Sequence, residues 1–327
     1  MTKGIIDSAA AEIGAAGNAG SWIIHTGGRT PIERSRFRAI EPAASCGDIS
    51  FIDGGNAPIY STPSQTCHLT RTCALRFSGK NRTETDRRTS IVMATSDGKE
   101  ITLKQFGDLA ESLRISLEDK DLKTGDHPVT LATAVELARH LSEIRAATRS
   151  AASVDGGIVV VDGDLNAAHP LSIEARRDLR GACRQAKAAL IGCAKTNTAC
   201  TETGYSAVAA LIKTAPEGAW AYDLESNDGI YRAFSKLHHR ARHCFMIESL
   251  ESISDETLSR LASISNDLSF PGYPYGLIVA DQLARVSNQE RDAASIELLA
   301  KAAKVNKSVL SAISGSDAHG ILDRMQY

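Results

Sequence analysis

Three acidic residues stand where a folded chain could gather carboxylates. Asp53 closes the apolar run Ile49-Ser50-Phe51-Ile52, and Asp162 closes the β-branched run Ile158-Val159-Val160-Val161. Glu143 falls on the helical stretch that leads into the second run. Carboxylate oxygens suit magnesium or manganese, and paired ions ~3.5–4 Å apart can stabilise both the attacking water and the leaving oxygen of a phosphodiester. Ligands in an open α/β sheet bind beyond strand ends, so Asp53 and Asp162 converge if their strands are neighbours. Each acid taken alone also suits a plainer role. Asp-Gly at the end of a strand is a common turn, Glu143 could be a solvated helix charge, and Glu136 on the same helix competes with it for the site.

Other residues carry weaker signals. His319 stands one turn into the segment Ser316-Asp317-Ala318-His319, and a neutral imidazole can bind manganese or shuttle a proton. His238, His239, His243 and Cys244 suggest a metal cluster, but no second ligand pair stands at a suitable spacing. With Lys236, Arg240 and Arg242 they read better as a basic DNA-contact edge, or as plain surface charge. Arg71 opens a basic stretch, through Arg88, that could line a strand path or keep a hairpin soluble. Tyr273-Pro274-Tyr275 offers stacking faces for unpaired bases or a helix start, and Asp281 with Arg285 reads as an i,i+4 salt bridge. No G-x-x-x-x-G-K-[ST] and no G-x-S-x-G is present, so the chain brings neither a phosphate-binding ATPase loop nor a serine nucleophile elbow.

The elements that must position these groups follow from periodicity. The 327 residues are 43% hydrophobic and 23% charged, an ordinary globular composition. With 37 Lys+Arg against 39 Asp+Glu the net charge is -2, which excludes a polycation and confines any nucleic-acid contact to a local basic patch. Seven cysteines without a C-x-x-C pair speak against a zinc ribbon or a disulfide framework and for buried thiols. No apolar run approaches the ~20 residues of a membrane helix and no secretory signal is visible, so a cytoplasmic location is expected. The run around residue 49, the alternating Cys67, Leu69, Cys73, Leu75 and Phe77, and the run Ser90 to Ala94 predict a three-stranded antiparallel meander. Spacings of three and four predict helices over 104–118 and 129–151. A strand ending at Asp162, a helix over 172–188, a strand over 189–194 and a helix near 205–213 continue an α/β alternation. Strands near 218–222, 229–235 and 243–248 precede helices from Asp255 onwards.

A strand-helix-strand carboxylate trio after a three-stranded meander is the arrangement by which ribonuclease-H-like nucleases hold two divalent metals. Five segments carry a closer likeness in order: Phe51-Ile52-Asp53-Gly54-Gly55, Val160-Val161-Asp162-Gly163-Asp164-Leu165, Ile191-Gly192-Cys193-Ala194-Lys195-Thr196, Gly272 to Asp281, and Ser316 to Asp323. Together they resemble the NurA nuclease family over residues 49–325. The resemblance implies an α/β, ribonuclease-H-like (Piwi-related) mixed sheet with flanking helices and a helical C-terminal part. It places a single nuclease domain over 49–327, behind an N-terminal extension, 1–48, to which no role is assigned. It implies a homodimer, manganese-dependent (or magnesium-dependent) 5′ to 3′ exonuclease and single-strand endonuclease activity on DNA, and a role in end resection with the hexameric ATPase HerA. By position, Asp53, Glu143 and Asp162 match the metal-binding acids, His319 the C-terminal active-site histidine, and Lys195 a lysine placed to hold phosphate. The family often follows its acids with glycine-serine, where this chain has Gly-Gly-Asn and Gly-Asp. The family's active-site tyrosine has no counterpart near Ser311. Two other readings keep the fold: a degenerate domain that clamps DNA ends, and a nuclease for RNA or junctions.

Overall fold

The computed structural model describes residues 4–7, 9–10, 20–107, 111–226 and 228–306. The strands in chain order are β1 (Trp22–His25), β2 (Gly28–Pro31), β3 (Phe37–Ala39), β4 (Asp48–Ser61), β5 (Gln65–Ser78), β6 (Asn81–Ser96), β7 (Glu100–Phe106), β8 (Glu111–Ser116), β9 (Ile158–Asp162), β10 (Ala189–Ala194), β11 (Cys200–Thr201), β12 (Trp220–Leu224), β13 (Tyr231–Lys236) and β14 (Phe245–Ser249). The helices are α1 (Leu131–Ala151), α2 (Pro170–Gln185), α3 (Ala207–Thr214), α4 (Asp255–Ser263), α5 (Tyr275–Ala284) and α6 (Asn288–Val305). Eleven of the described strands form one mixed sheet in the order β3-β12-β13-β14-β10-β9-β4-β5-β6-β7-β8, and β11-β1-β2 form a small second sheet.

At the centre, β9 runs parallel to both β4 and β10, and the other ladders of the large sheet are antiparallel. Parallel strands covered on both faces need apolar side chains on both, and the sequence supplies them. On one face Ile52 and Val159 pack with Ile144, Ala147 and Ala151 of α1 and with Leu179 of α2. On the other, Phe51, Val160 and Ile191 pack with Leu258 of α4 and Leu277 of α5. Gly276 lets α5 lie this close, because a Cβ there would overlap the Phe51 ring.

Three expectations change. The described residues of 104–118 are not helical: β7 and β8 stand there, with Ile101, Leu103 and Ile115 buried. Leu109, Leu113 and Leu117 fall four apart and imitate a helical stripe, but period-two burial against β6 and α1 decides the outcome. The meander therefore has five strands, β4 to β8. Asp53-Gly54-Gly55 is not a turn either, because β4 continues through it to Ser61, opposite β5. Part of the segment ahead of residue 49 is built into the main sheet, since β3 pairs with β12.

The cysteines are free thiols, six of them buried and Cys200 partly so. Among the described residues no helix is long and apolar enough to cross a membrane.

Candidate active site

The register of the sheet brings the two strand acids together. Ile52 stands opposite Val161 in the parallel pair, so one step further Asp53 and Asp162 are neighbours. Both project on the face of Phe51 and Val160, by the alternation of side chains along a strand. Glu143 comes from α1, on the other face of β4, close enough for its charge to act on Asp53. Its side chain occupies the space above Gly54, where a Cβ would lie 2.7 Å from its Cγ and 2.8 Å from its Cδ. Gly55 serves the opposite face: a Cβ there would stand 2.8 Å from the Ala284 carbonyl oxygen at the end of α5. The two glycines thus let a helix approach β4 closely on each side, without need of an unusual backbone angle.

Crowding of these acids has an electrostatic result. Asp53 is buried, and its carboxyl is pushed up to about 7 by that burial, then by the charges of Asp162 and Glu143. The Gly54 N–H, donating to Asp53 Oδ1 at 2.7 Å, opposes the rise only in part. Glu143 is paired with Arg139, which also donates to the Gly54 carbonyl at 3.3 Å and to Glu136 at 2.8 Å. Asp162 accepts from the Tyr273 hydroxyl at 2.8 Å and from Lys195 Nζ at 3.0 Å. Burial would lower the Lys195 pKa, but the hydrogen bond to Asp162 and the charges of Asp162, Asp53 and Asp281 hold the ammonium above its ordinary value. Lys195 also lies 3.4 Å from Asp281, which pairs with Arg285 at 2.7 Å.

The donor set suits a divalent ion in kind. It is all oxygen, and the burial and neighbouring negative charge that raise the Asp53 carboxyl are what a dication would offset. Among the described residues, however, no three Asp, Glu, His or Cys side chains already converge to enclose an ion. The acids are instead satisfied by the chain's own donors, so Arg139 and Lys195 would have to share their carboxylates with it.

Several expected site residues take other places. Glu143, and not Glu136, adjoins Asp53; Glu136 accepts from Asn56 at 2.7 Å and from Arg139. Tyr273 is only 2% exposed and cannot offer a face to a base. Its hydroxyl instead donates to Asp162. The signal was present, since Tyr273 lies in one of the five ordered segments. Replacing it with phenylalanine is expected to slow cleavage about tenfold without unfolding the protein, as loss of one hydrogen bond to a charged group would; activity assays and thermal melts check this.

Arg71 is no DNA-facing residue. It is buried and donates to Glu290 at 2.9 Å and to the Arg285 carbonyl at 2.8 Å, tying α6 to β5. Arg71→Ala is expected to lower thermal stability by about 1–3 kcal/mol and leave DNA affinity intact, as melts and binding titrations would show. Arg242 is exposed on the loop before β14, as a basic edge requires. His243 stacks on Phe270, and the neighbouring histidines form no metal group among the described residues. His319 lies outside the described residues.

The mixed sheet sets two carboxylates side by side on adjacent parallel strands, and the family that its sequence matches places the chain among the nucleases. Residues 47–286 match the family model for the NurA domain, and the chain belongs to the NurA family. Among solved structures it is similar to the NurA nuclease from Sulfolobus solfataricus, at 12% identity and a TM-score of 0.55, over 83% of this chain and 88% of that one. This likeness supports the shared fold. Human ENDOV matches at 14% identity and a TM-score of 0.40, over 80% of this chain and 94% of that one. No curated protein matches the chain.

Proposed function

We propose that the protein is a manganese- or magnesium-dependent deoxyribonuclease in which Asp53, Glu143 and Asp162 hold the metal. The observation that carries this reading is the side-by-side placement of Asp53 and Asp162 on adjacent parallel strands, with the Glu143 charge close enough to help raise the buried Asp53 carboxyl. When bound, a divalent ion would supply Lewis-acid stabilisation of the scissile phosphate and of the attacking water. The chain's own groups do the positioning. Tyr273 holds the Asp162 carboxylate in place, Arg139 orients Glu143, and the Lys195 ammonium sets a positive charge where a phosphate oxygen could meet it. His319, matched by resemblance, completes this proposal as a metal ligand or proton carrier. Family membership supports the further expectations of 5′ to 3′ exonuclease and single-strand endonuclease activity, a homodimer, and end resection in double-strand-break repair beside a HerA-type ATPase.

Labelled single- and double-stranded DNA, incubated with manganese, magnesium or EDTA, tests the reading. Cleavage is expected with either metal and not with EDTA. Intact DNA in all three conditions, with and without a HerA-type partner, would leave only a DNA-end clamp.

A further inference from the structure

Beside the acids lies a cavity of roughly 570 Å³, bordered by Lys195, Asp281, Tyr273, His243, Phe245 and Phe270. Its volume falls in the range of small-ligand sites. One wall is aromatic. Phe270 is 41% exposed and stacks with His243, ring centroids 5.7 Å apart and planes inclined by 12°. Behind it Tyr273 stands edge-on at 6.1 Å, and Phe245 meets Tyr273 at 4.8 Å. The platform is therefore braced by the residue whose hydroxyl holds Asp162. A large aromatic ring partly open to solvent on a firm backing gives a partner something to stack on. The surroundings say which partner: Lys195 stands at the end nearer the acids, and Arg240 and Arg242, both exposed, sit on the β13–β14 loop that presents His243. An apolar plate between cations matches a nucleotide strand, with its flat bases and charged backbone.

We propose that this groove receives one unpaired nucleobase of a DNA strand, stacked on Phe270 and His243, beside the nucleotide presented to the acids. The proposal rests on the nuclease reading and deepens it. A base inside a duplex has both faces covered by its stacked neighbours, so the groove favours a single strand over an intact duplex.

The test uses the full chain in EDTA, so that binding is measured without cleavage, and a labelled oligothymidylate in which one abasic site is moved along the strand. At one position, or two adjacent ones, the abasic strand is expected to bind about tenfold more weakly, the size of effect a lost stacked base produces. Phe270→Ala should weaken the unmodified strand by a similar factor and show no further loss at that position. Phe270→Tyr, which keeps the ring face, should restore the wild-type pattern. Equal affinity at every abasic position, or an abasic loss that persists undiminished in Phe270→Ala, overturns the proposal. If the wild type cleaves DNA with manganese but the abasic scan is flat, the base site alone fails. If it neither binds nor cleaves, the nuclease reading fails with it.

Discussion

Asp53→Asn is expected to abolish metal-stimulated cleavage, by at least a thousandfold, and at the same time to raise the melting temperature of the metal-free protein at pH 8. The two effects share one cause. Asp53 is buried beside Asp162, within range of the Glu143 charge, and burial and those charges push its carboxyl up to about 7 from an ordinary 3.8. The folded state thus holds this proton more tightly than the unfolded state. The associated stability is fully present below about pH 3.8 and is lost as the pH rises through 7. A difference of this size corresponds to ~4 kcal/mol at most, and even half of it would shift the melting temperature by about 3 °C in a chain of this length. Asparagine keeps the shape and carries no charge, so its advantage should appear at pH 8 in EDTA, shrink as the pH falls, and vanish near pH 4. The same neutrality removes a metal ligand. Retained manganese-dependent cleavage by the variant would refute the site assignment, and a melting gain independent of pH would refute the electrostatic account. Below pH 7 each ion bound must displace the Asp53 proton, so manganese affinity should also strengthen as the pH rises towards neutrality.

The second large effect separates two adjacent glycines. Gly54→Ala sets a Cβ against Glu143, whose flexible side chain can swing aside. The fold should survive while the helix ligand is displaced, and cleavage should fall about a hundredfold, as a misplacement of about 1 Å in a reacting group does. Gly55→Ala sets its Cβ 2.8 Å from the Ala284 carbonyl, a backbone atom at the end of a packed helix. This side cannot yield cheaply. The variant should lose about 1–3 kcal/mol of stability as an overpacked interior does, with a smaller loss of activity once folded. Urea unfolding and cleavage rates on both variants would check the division. Two equally stable and equally active variants would mean that neither contact constrains the site.

The acids and their strands were legible because both apolar runs end on aspartate, a pattern independent of what lies between them. Lys195 came from the family resemblance and Glu143 stood beside Glu136 as a candidate; the structure sets Lys195 against Asp162 and gives Glu143, not Glu136, the influence on Asp53. What stayed hidden depends on partners far away in sequence. Arg71 and Arg242 look alike as residues in basic stretches, yet one is anchored by Glu290 from a helix over two hundred residues later and the other faces solvent. Tyr273 reads as a stacking ring, because nothing local reveals that its hydroxyl meets Asp162 across the sheet. Strands β7 and β8 were missed because leucines four apart satisfy a helical period as well as a pair of strands. Gly54-Gly55 reads as a turn in the sequence because steric room and turn propensity call for the same residue.

The origin of the three acids also sets how the site can adapt. Asp53 and Asp162 hang from hydrogen-bonded neighbours in a sheet, at a separation near the ~4.8 Å spacing of adjacent strands, and neither can shift without disturbing a ladder. Glu143 comes from a helix, through a longer side chain, across a space kept empty by Gly54. The site is therefore a vice with two fixed jaws and one that travels. Ions of different radius, or a phosphate arriving from different directions, would be accommodated almost wholly by Glu143, with Arg139 setting how far it moves.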